Sequence, residues 1–100
     1  MGTNGTKKYM KYFYVYMLKC NDDSYYIGHT DDLEKRIAEH NAKKFCGYTS
    51  TRLPIKLVFA QHFVSRSTAL AGERKLKKWT RKKKEILEKF GWEGFQKNKN

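Results

Sequence analysis

A single proline, Pro54, and two cysteines, Cys20 and Cys46, are all that the chain has of either residue. The cysteines stand 26 positions apart and make no C-x-x-C pair, so the expectation is two reduced thiols. A zinc site drawn from Cys20, Cys46, His29, His40 and His62 has no recognisable ligand spacing. No apolar run approaches the roughly twenty residues of a membrane span, and no Gly-rich phosphate loop, internal repeat or interdomain linker is present. The stretch from Met1 to Lys11 lacks the apolar core of a signal peptide, which points to a cytoplasmic protein. Its opening matches a short acylation pattern, but such a pattern arises by chance and one acyl chain anchors weakly. Acidic residues are scarce, ten against 22 Lys+Arg, for a formal net charge of +12.

That imbalance calls for a polyanionic partner, nucleic acid before an anionic membrane surface. The basic segments carry no broad apolar stripe, which argues against membrane attachment. At 100 residues, with 39% hydrophobic and 15% aromatic content, the chain has material for one modest core and one domain, expected as a monomer. The expected division is a loose tail over 1–11, a folded domain over 12–90 and a loose end over 91–100, from which Trp92 and Phe95 are able to pack back on the domain.

Residues 12–20 are aromatic and β-branched on both alternating faces, which predicts an interior strand covered on both sides. Asn21 to Ser24 is turn chemistry, and Tyr25 to His29 is the return strand. Asp31 with Glu34 reads as a capping box for a helix over 32–41, whose inner face carries Leu33, Ile37 and His40 beside Arg36. A third strand is expected over 55–63, with Leu57, Phe59 and Gln61 on one face. A second helix follows Ser65 or Ser67 to about Lys78 with Ala69, Leu70, Leu76 and Trp79 apolar; a third runs near 81–90 from an N-cap at Thr80, burying Ile86, Leu87 and Phe90. The architecture is α+β, a three-stranded antiparallel sheet flanked by helices in the order ββαβαα.

One ordered constellation runs through these elements: Tyr14-Val15-Tyr16, Tyr26-Ile27-Gly28, Thr30, Arg36 and His40, then Tyr48-Thr49, Arg52-Leu53-Pro54, Ala69-Leu70, Glu73 and Lys77-Lys78-Trp79. Over residues 12 to about 88 this resembles the GIY-YIG nuclease superfamily, in particular its small stand-alone bacterial members. Those are similar to the N-terminal nuclease domain of the excision-repair incision subunit. The chain departs from the motif in having Tyr14 for the first glycine and Val15 for isoleucine. The resemblance implies Mg²⁺- or Mn²⁺-dependent cleavage of a DNA phosphodiester. It implies that Glu73 holds the metal, Arg36 contacts the scissile phosphate, Tyr16 and Tyr26 position or deprotonate water, His40 assists and Lys19 lies close to the first tyrosine.

The chemistry asks for these residue types on its own account. A guanidinium and a hard cation both neutralise charge building on phosphate oxygens. A phenol is too weakly acidic to act as a base at neutral pH unless nearby cations such as Lys19 and Arg36 favour the phenolate. The spacing also makes a structural demand. A four-residue loop would pair Tyr16 with His29 and put the two tyrosines on opposite faces. An odd loop or a bulge using Asp22 or Asp23 would pair Tyr16 with Gly28, Leu18 with Tyr26, and bring both hydroxyls to one side. Strict alternation then leaves Lys19 on the other face.

Each residue also has a plainer reading. Strand tyrosines commonly just reach solvent; Arg36 has Asp32 at i−4 for a partner; His40 sits at a helix C-terminus; Glu73 has Lys77 at i+4, a pair worth only ~0.3–0.5 kcal/mol. A lone acid among Arg66, Arg74, Lys75, Lys77 and Lys78, on the apolar side of its helix, reads better as a metal ligand. Arg74, Lys77, Lys78, Arg81 and Lys82 form a phosphate-tracking surface, and Tyr48, Thr49 and Arg52 are candidates for backbone contact from an exposed loop. A domain of this size has little surface for reading base edges, so cleavage directed by structure at branched, nicked or flapped DNA, in repair or recombination, is the expectation. The alternative is a nucleic-acid-binding module on the same scaffold without turnover.

Overall fold

The computed structural model describes residues 11–43 and 47–98, with side chains to Trp92; Cys46 and Phe95 lie outside the described side chains. Strand β1 (Phe13–Lys19) is the centre of a three-stranded antiparallel sheet in the order β2-β1-β3, with β2 at Tyr25–Thr30 and β3 at Lys56–Phe63. Helix α1 (Leu33–Asn41) follows the hairpin, a 3-10 turn (Tyr48–Thr51) precedes β3, and α2 (Arg66–Lys77) and α3 (Arg81–Asn98) close the chain.

As its two-sided apolar pattern requires, β1 is buried on both faces. Val15 and Met17 join Ile27, Ala69, Leu76 and Leu87 under α2 and α3. Tyr16, Leu18 and Cys20 join Ile55 on the opposite face, where Tyr26, Leu33, Ile37 and Leu53 pack under α1. The third strand departs from simple alternation. Its register against β1 slips between Met17 and Leu18, so that Met17 faces Phe59 while Leu18 faces Leu57. The extra residue places both Val58 and Phe59 against the α2 layer and leaves Leu57 exposed.

The helix ends follow side-chain capping. Ser65 accepts from the Thr68 amide, and Thr80 accepts from the Lys83 amide at 3.2 Å. Helix α1 is capped by Asp32, which accepts from the Lys35 amide, and not by Asp31. The Asp31 carboxylate is engaged with Lys11 at 3.3 Å and Arg66 at 3.7 Å, tying α1 to α2. On α3 only Leu87 of the expected apolar trio is fully buried; Phe90, one residue off the stripe that Leu87 and Glu88 define, is 64% exposed. Beyond Phe90 the chain differs from a loose end. Gly91 adopts a left-handed φ of 68°, helix resumes to Asn98, and Trp92 stacks on Trp79 with centroids 5.7 Å apart.

Helix α3 is held to the hairpin by a polar clasp. The Tyr25 hydroxyl donates to Glu88 Oε1 at 2.5 Å, Lys19 Nζ lies 3.4 Å from the same oxygen, and Arg81 Nη1 donates to the Asp23 carbonyl at 2.7 Å. Burial first, then the Glu88 contact, raises the Tyr25 phenol; its hydrogen bond holds the Glu88 carboxyl below its ordinary value. A raised folded pKa stabilises below the unfolded value of 10.0 and is lost as pH climbs past it; a lowered one stabilises above 4.5 and is lost on acidification. Tyr25→Phe is therefore expected to cost about 1–2 kcal/mol at neutral pH and to lessen the alkaline fall in stability, leaving the part that the Tyr16 phenol contributes, read by urea unfolding between pH 7 and 11.

Candidate active site at the edge of the hairpin

Five residues, Cys20 to Ser24, connect β1 to β2, with Asp23 at a positive φ of 68°. The Cys20 amide donates to the Ser24 carbonyl at 2.8 Å, and Asp22 accepts from the Ser24 amide at 3.1 Å, which fixes the odd loop. The pairing is consequently Tyr16 with Gly28 and Leu18 with Tyr26, so both phenols lie on the α1 face. The Tyr16 ring lies across Gly28: a Cβ built there would stand 2.5 Å from the Tyr16 hydroxyl and 2.7 Å from its ring carbon.

From α1, His40 and Arg36 reach this phenol. The Tyr16 hydroxyl is 3.1 Å from His40 Nε2, and His40 Nδ1 is 2.8 Å from Thr49 Oγ1. A neutral imidazole satisfies both bonds when Tyr16 donates to Nε2 and Nδ1–H donates to Thr49. Burial, reinforced by the Arg36 charge, holds His40 below its ordinary pKa and so in that neutral state. Arg36 hydrogen-bonds the Tyr16 phenol, donates to the His29 carbonyl at 3.4 Å and lies 3.4 Å from Glu39, not against Asp32. Tyr16 is 1% exposed, and burial pushes its phenol up to about 12 against the opposing hydrogen bond from Arg36. The expectation that neighbouring cations favour its phenolate is thus reversed in this state: desolvation outweighs them.

The carboxylate arrives from the other layer. Ala69, Glu73 and Leu76, at i, i+4 and i+7, form the buried face of α2, and Glu73 is only 8% exposed. His29 Nδ1 hydrogen-bonds its Oε1, and Lys77 Nζ sits 2.8 Å from Oε2. Burial pushes the Glu73 carboxyl up, but the hydrogen bonds from Lys77 and His29 outweigh it and leave the group ionised. His29 lies on edge strand β2 opposite Val15, on the α2 face, while its carbonyl takes Arg36 from the α1 side. The two layers therefore meet around one strand edge, close enough for the Glu73 charge to bear on Tyr16.

Tyr16, Tyr26, Arg36, His40 and Glu73 are thus brought into one neighbourhood; Tyr26 packs on Tyr16 and His40 with centroids 6.3 and 5.3 Å away. Lys19 is not part of it. The period of a strand turns it to the opposite face, where Glu88 takes it. Thr49 is buried beneath His40 and unavailable for backbone contact, and Arg81 is engaged by Asp23 and Glu85. Arg74, Lys77, Lys78 and Lys82 are exposed along α2 and α3. His29 was not singled out from sequence, although it follows the motif glycine and the register that unites the tyrosines also turns it toward Glu73.

Gly28→Ala is expected to push the Tyr16 ring off His40 and to lower stability by about 1–3 kcal/mol, measured by urea unfolding, with the Tyr16 phenol released toward its ordinary pKa in a spectrophotometric titration. His40 carries a separate sign. Its lowered folded pKa gives stability that is whole above the unfolded value of 6.5 and declines as pH falls below it. His40→Gln should flatten that decline between pH 6.5 and 5, before the carboxylates titrate.

Residues 12–86 match the family model described as the GIY-YIG catalytic domain. A UPF0213 protein of Haloquadratum walsbyi is 45% identical over 80 residues, covering 80% of this chain and 90% of the relative; one of Streptococcus pneumoniae is 49% identical over 72 residues, covering 72% and 73%. Among solved structures, the solution structure of a UPF0213 protein of Bacillus halodurans is 41% identical with a TM-score of 0.50, covering 76% of this chain and 81% of that one. A solution structure of an E. faecalis protein is 39% identical with a TM-score of 0.53, covering 75% and 80%. The motif, the sheet order and these likenesses agree, and the chain belongs to the GIY-YIG family of nuclease domains.

Proposed function

We propose that the protein is a divalent-metal-dependent endonuclease that hydrolyses DNA phosphodiesters where the duplex is nicked, flapped or branched, acting as a monomer in repair or recombination in the cytoplasm. The observation that carries this reading is Glu73, an ionised carboxylate buried on α2 at the same strand edge as Tyr16 and Arg36. Pure binding of a polyanion has no use for a buried negative charge beside the cations that would hold the phosphate.

Among the described residues no three ligating side chains gather; the carboxylate at this edge is Glu73, with the His29 imidazole against it. That carboxylate fits a hard ion such as Mg²⁺ or Mn²⁺, which takes oxygen ligands, keeps several waters and is completed by substrate phosphate. When bound, the ion would supply charge neutralisation at the phosphate and a more acidic water.

The chain's own groups divide the remaining work. Arg36 offers a guanidinium to the scissile phosphate. Tyr26, less enclosed than Tyr16, takes the proton of the attacking water or orients it. Tyr16, kept neutral by burial, serves as a hydrogen-bonding wall, and His40 positions it. Arg74, Lys77, Lys78 and Lys82 provide the exposed cationic track for the duplex.

One observation favours a second reading, a binding module without turnover: the Lys77 ammonium already neutralises one oxygen of Glu73. Incubation with nicked, flapped and branched DNA in Mg²⁺, Mn²⁺ or EDTA separates the two. The nuclease cuts only with metal, and Glu73→Gln slows it by at least about 100-fold while leaving salt-sensitive binding in EDTA intact. Equal cutting by Glu73→Gln, or binding of all three substrates without cuts in either metal, removes the proposal.

A further inference from the structure

The row of rings that begins at the buried phenol runs out to solvent. Tyr26 lies 6.3 Å from Tyr16; Tyr48 stacks beside Tyr26 at 6.3 Å with 27° between the planes; the Arg52 guanidinium lies 3.8 Å over the Tyr48 ring. Tyr48 is 42% exposed, an unusual position for a ring whose neighbours are so firmly held. Its chain neighbour Thr49 is buried on His40, which in turn holds Tyr16. The outer end of the row is therefore fixed relative to the phenols.

Arg52 is placed differently from a phosphate clamp. A guanidinium that grips phosphate presents the fork of N–H donors at its edge. Here Nε donates to Asp22 Oδ2 at 3.0 Å and Nη1 donates to the Tyr48 carbonyl at 2.8 Å, so two of the three guanidinium nitrogens are engaged and Asp22 compensates the charge. The Arg52 side chain is still 34% exposed. What such an arrangement offers a ligand is a flat, polarisable, charge-compensated surface backed by an aromatic ring. The matching chemistry is a nucleobase, which stacks on aromatic rings and on guanidinium planes alike.

We propose that Tyr48 and Arg52 form a shelf on which one unpaired nucleobase beside the scissile phosphate stacks. The inference rests on the reading of the protein as a DNA endonuclease and adds to it the source of structural selectivity. A base inside an intact duplex has both faces covered and must first leave the stack to reach the shelf. At a nick, flap or end a base is already free to do so. Arg52 then reads base surface, not the sugar–phosphate backbone.

The test uses 2-aminopurine placed in turn at each position on either side of the junction of a flapped DNA, with binding followed in EDTA so that no cleavage intervenes. Wild type is expected to change the fluorescence at one position only. Tyr48→Ala, and Tyr48→Leu as a bulk-preserving second variant, should abolish that change and weaken flap binding about tenfold, with binding to an intact duplex of equal length unaltered. Tyr48→Phe keeps the ring and should keep the signal; Arg52→Lys keeps the charge without the plane and should lose it. Thermal melts followed by circular dichroism establish that each variant is folded. The shelf is overturned if the folded Tyr48→Leu protein gives the wild-type fluorescence profile, or if Tyr48 variants weaken flap and duplex equally. Cleavage by wild type without any positional signal also rejects the shelf while sparing the nuclease reading. A positional signal without cleavage does the reverse, and failure to bind either DNA rejects both.

Discussion

Tyr16 can occupy its place only because the residue opposite it in the ladder is Gly28. The ring lies across strand β2 where any side chain would collide with its hydroxyl. From that one juxtaposition the rest of the site takes its coordinates. The hydroxyl meets His40 and Arg36 from α1, His40 fixes Thr49 and so the turn after α1, and Arg36 reaches the carbonyl of His29 at the sheet edge. A one-residue slip of the hairpin would turn every one of these side chains to the wrong layer, because the period of a strand is two. The five-residue loop with its left-handed Asp23 is what forbids the slip. A loop that looks like mere connection thus determines the chemistry of the edge.

Two layers that share no core share this edge. The α1 layer supplies the phenols, the imidazole and the guanidinium; the α2 layer supplies the carboxylate. Burial acts on them with opposite outcomes. For Tyr16 desolvation prevails and the phenol stays neutral, whereas for Glu73 the hydrogen bonds from Lys77 and His29 prevail and the carboxyl stays charged. Both results follow from the same rule: burial disfavours charge unless a partner of opposite sign is hydrogen-bonded to it. Tyr16 has only Arg36 to oppose burial and the negative groups around it, while Glu73 has two cationic or hydrogen-bonding partners. The site is consequently electrostatically mixed before any substrate arrives, with one firm negative charge set among cations.

Much of this was legible in the sequence, and the legible part was the part governed by period and spacing. The sheet and its order of elements follow from alternation and turn chemistry, and the odd loop with the pairing of Tyr16 and Gly28 follows from alternation once the resemblance puts both tyrosines in one site. Glu73 on the buried face of α2 follows from its spacing to Ala69 and Leu76. The same rule placed Lys19 away from the tyrosines, and resemblance alone had drawn it in; Glu88, some seventy residues later, is its actual partner. What escaped are choices between near-equivalent neighbours. Asp31 and Asp32 are both fit to cap α1, and the choice is made by Lys11 and Arg66, which no local pattern reveals. Thr49 reads as a loop hydroxyl until His40 closes over it. The slip in β3 that exposes Leu57 is likewise settled by contacts between distant segments, as is the choice of Trp79 as the ring on which Trp92 packs back.

The formal charge of +12 overstates how evenly the surface attracts a polyanion. Around the hairpin turn the cations are matched: Lys19 by Glu88, Arg52 by Asp22, Arg81 by Glu85 and the Asp23 carbonyl. These groups fasten α3 and the 3-10 turn to the sheet, and matched charges contribute little to long-range attraction. On α2 and the start of α3 the exposed run of Arg74, Lys75, Lys77, Lys78, Lys82 and Lys83 has few acids among it, and Glu73 is buried beneath. Among the described residues, the exposed cations with fewest acids among them therefore lie beside the α2 layer, on the side from which Glu73 approaches the edge. The aromatic row lies toward the opposite, α1 layer. A duplex held by the cations would meet the carboxylate first and the rings beyond it. On the endonuclease reading proposed above, that order would suit a substrate whose backbone is gripped as a helix while the strand past the phosphate diverges.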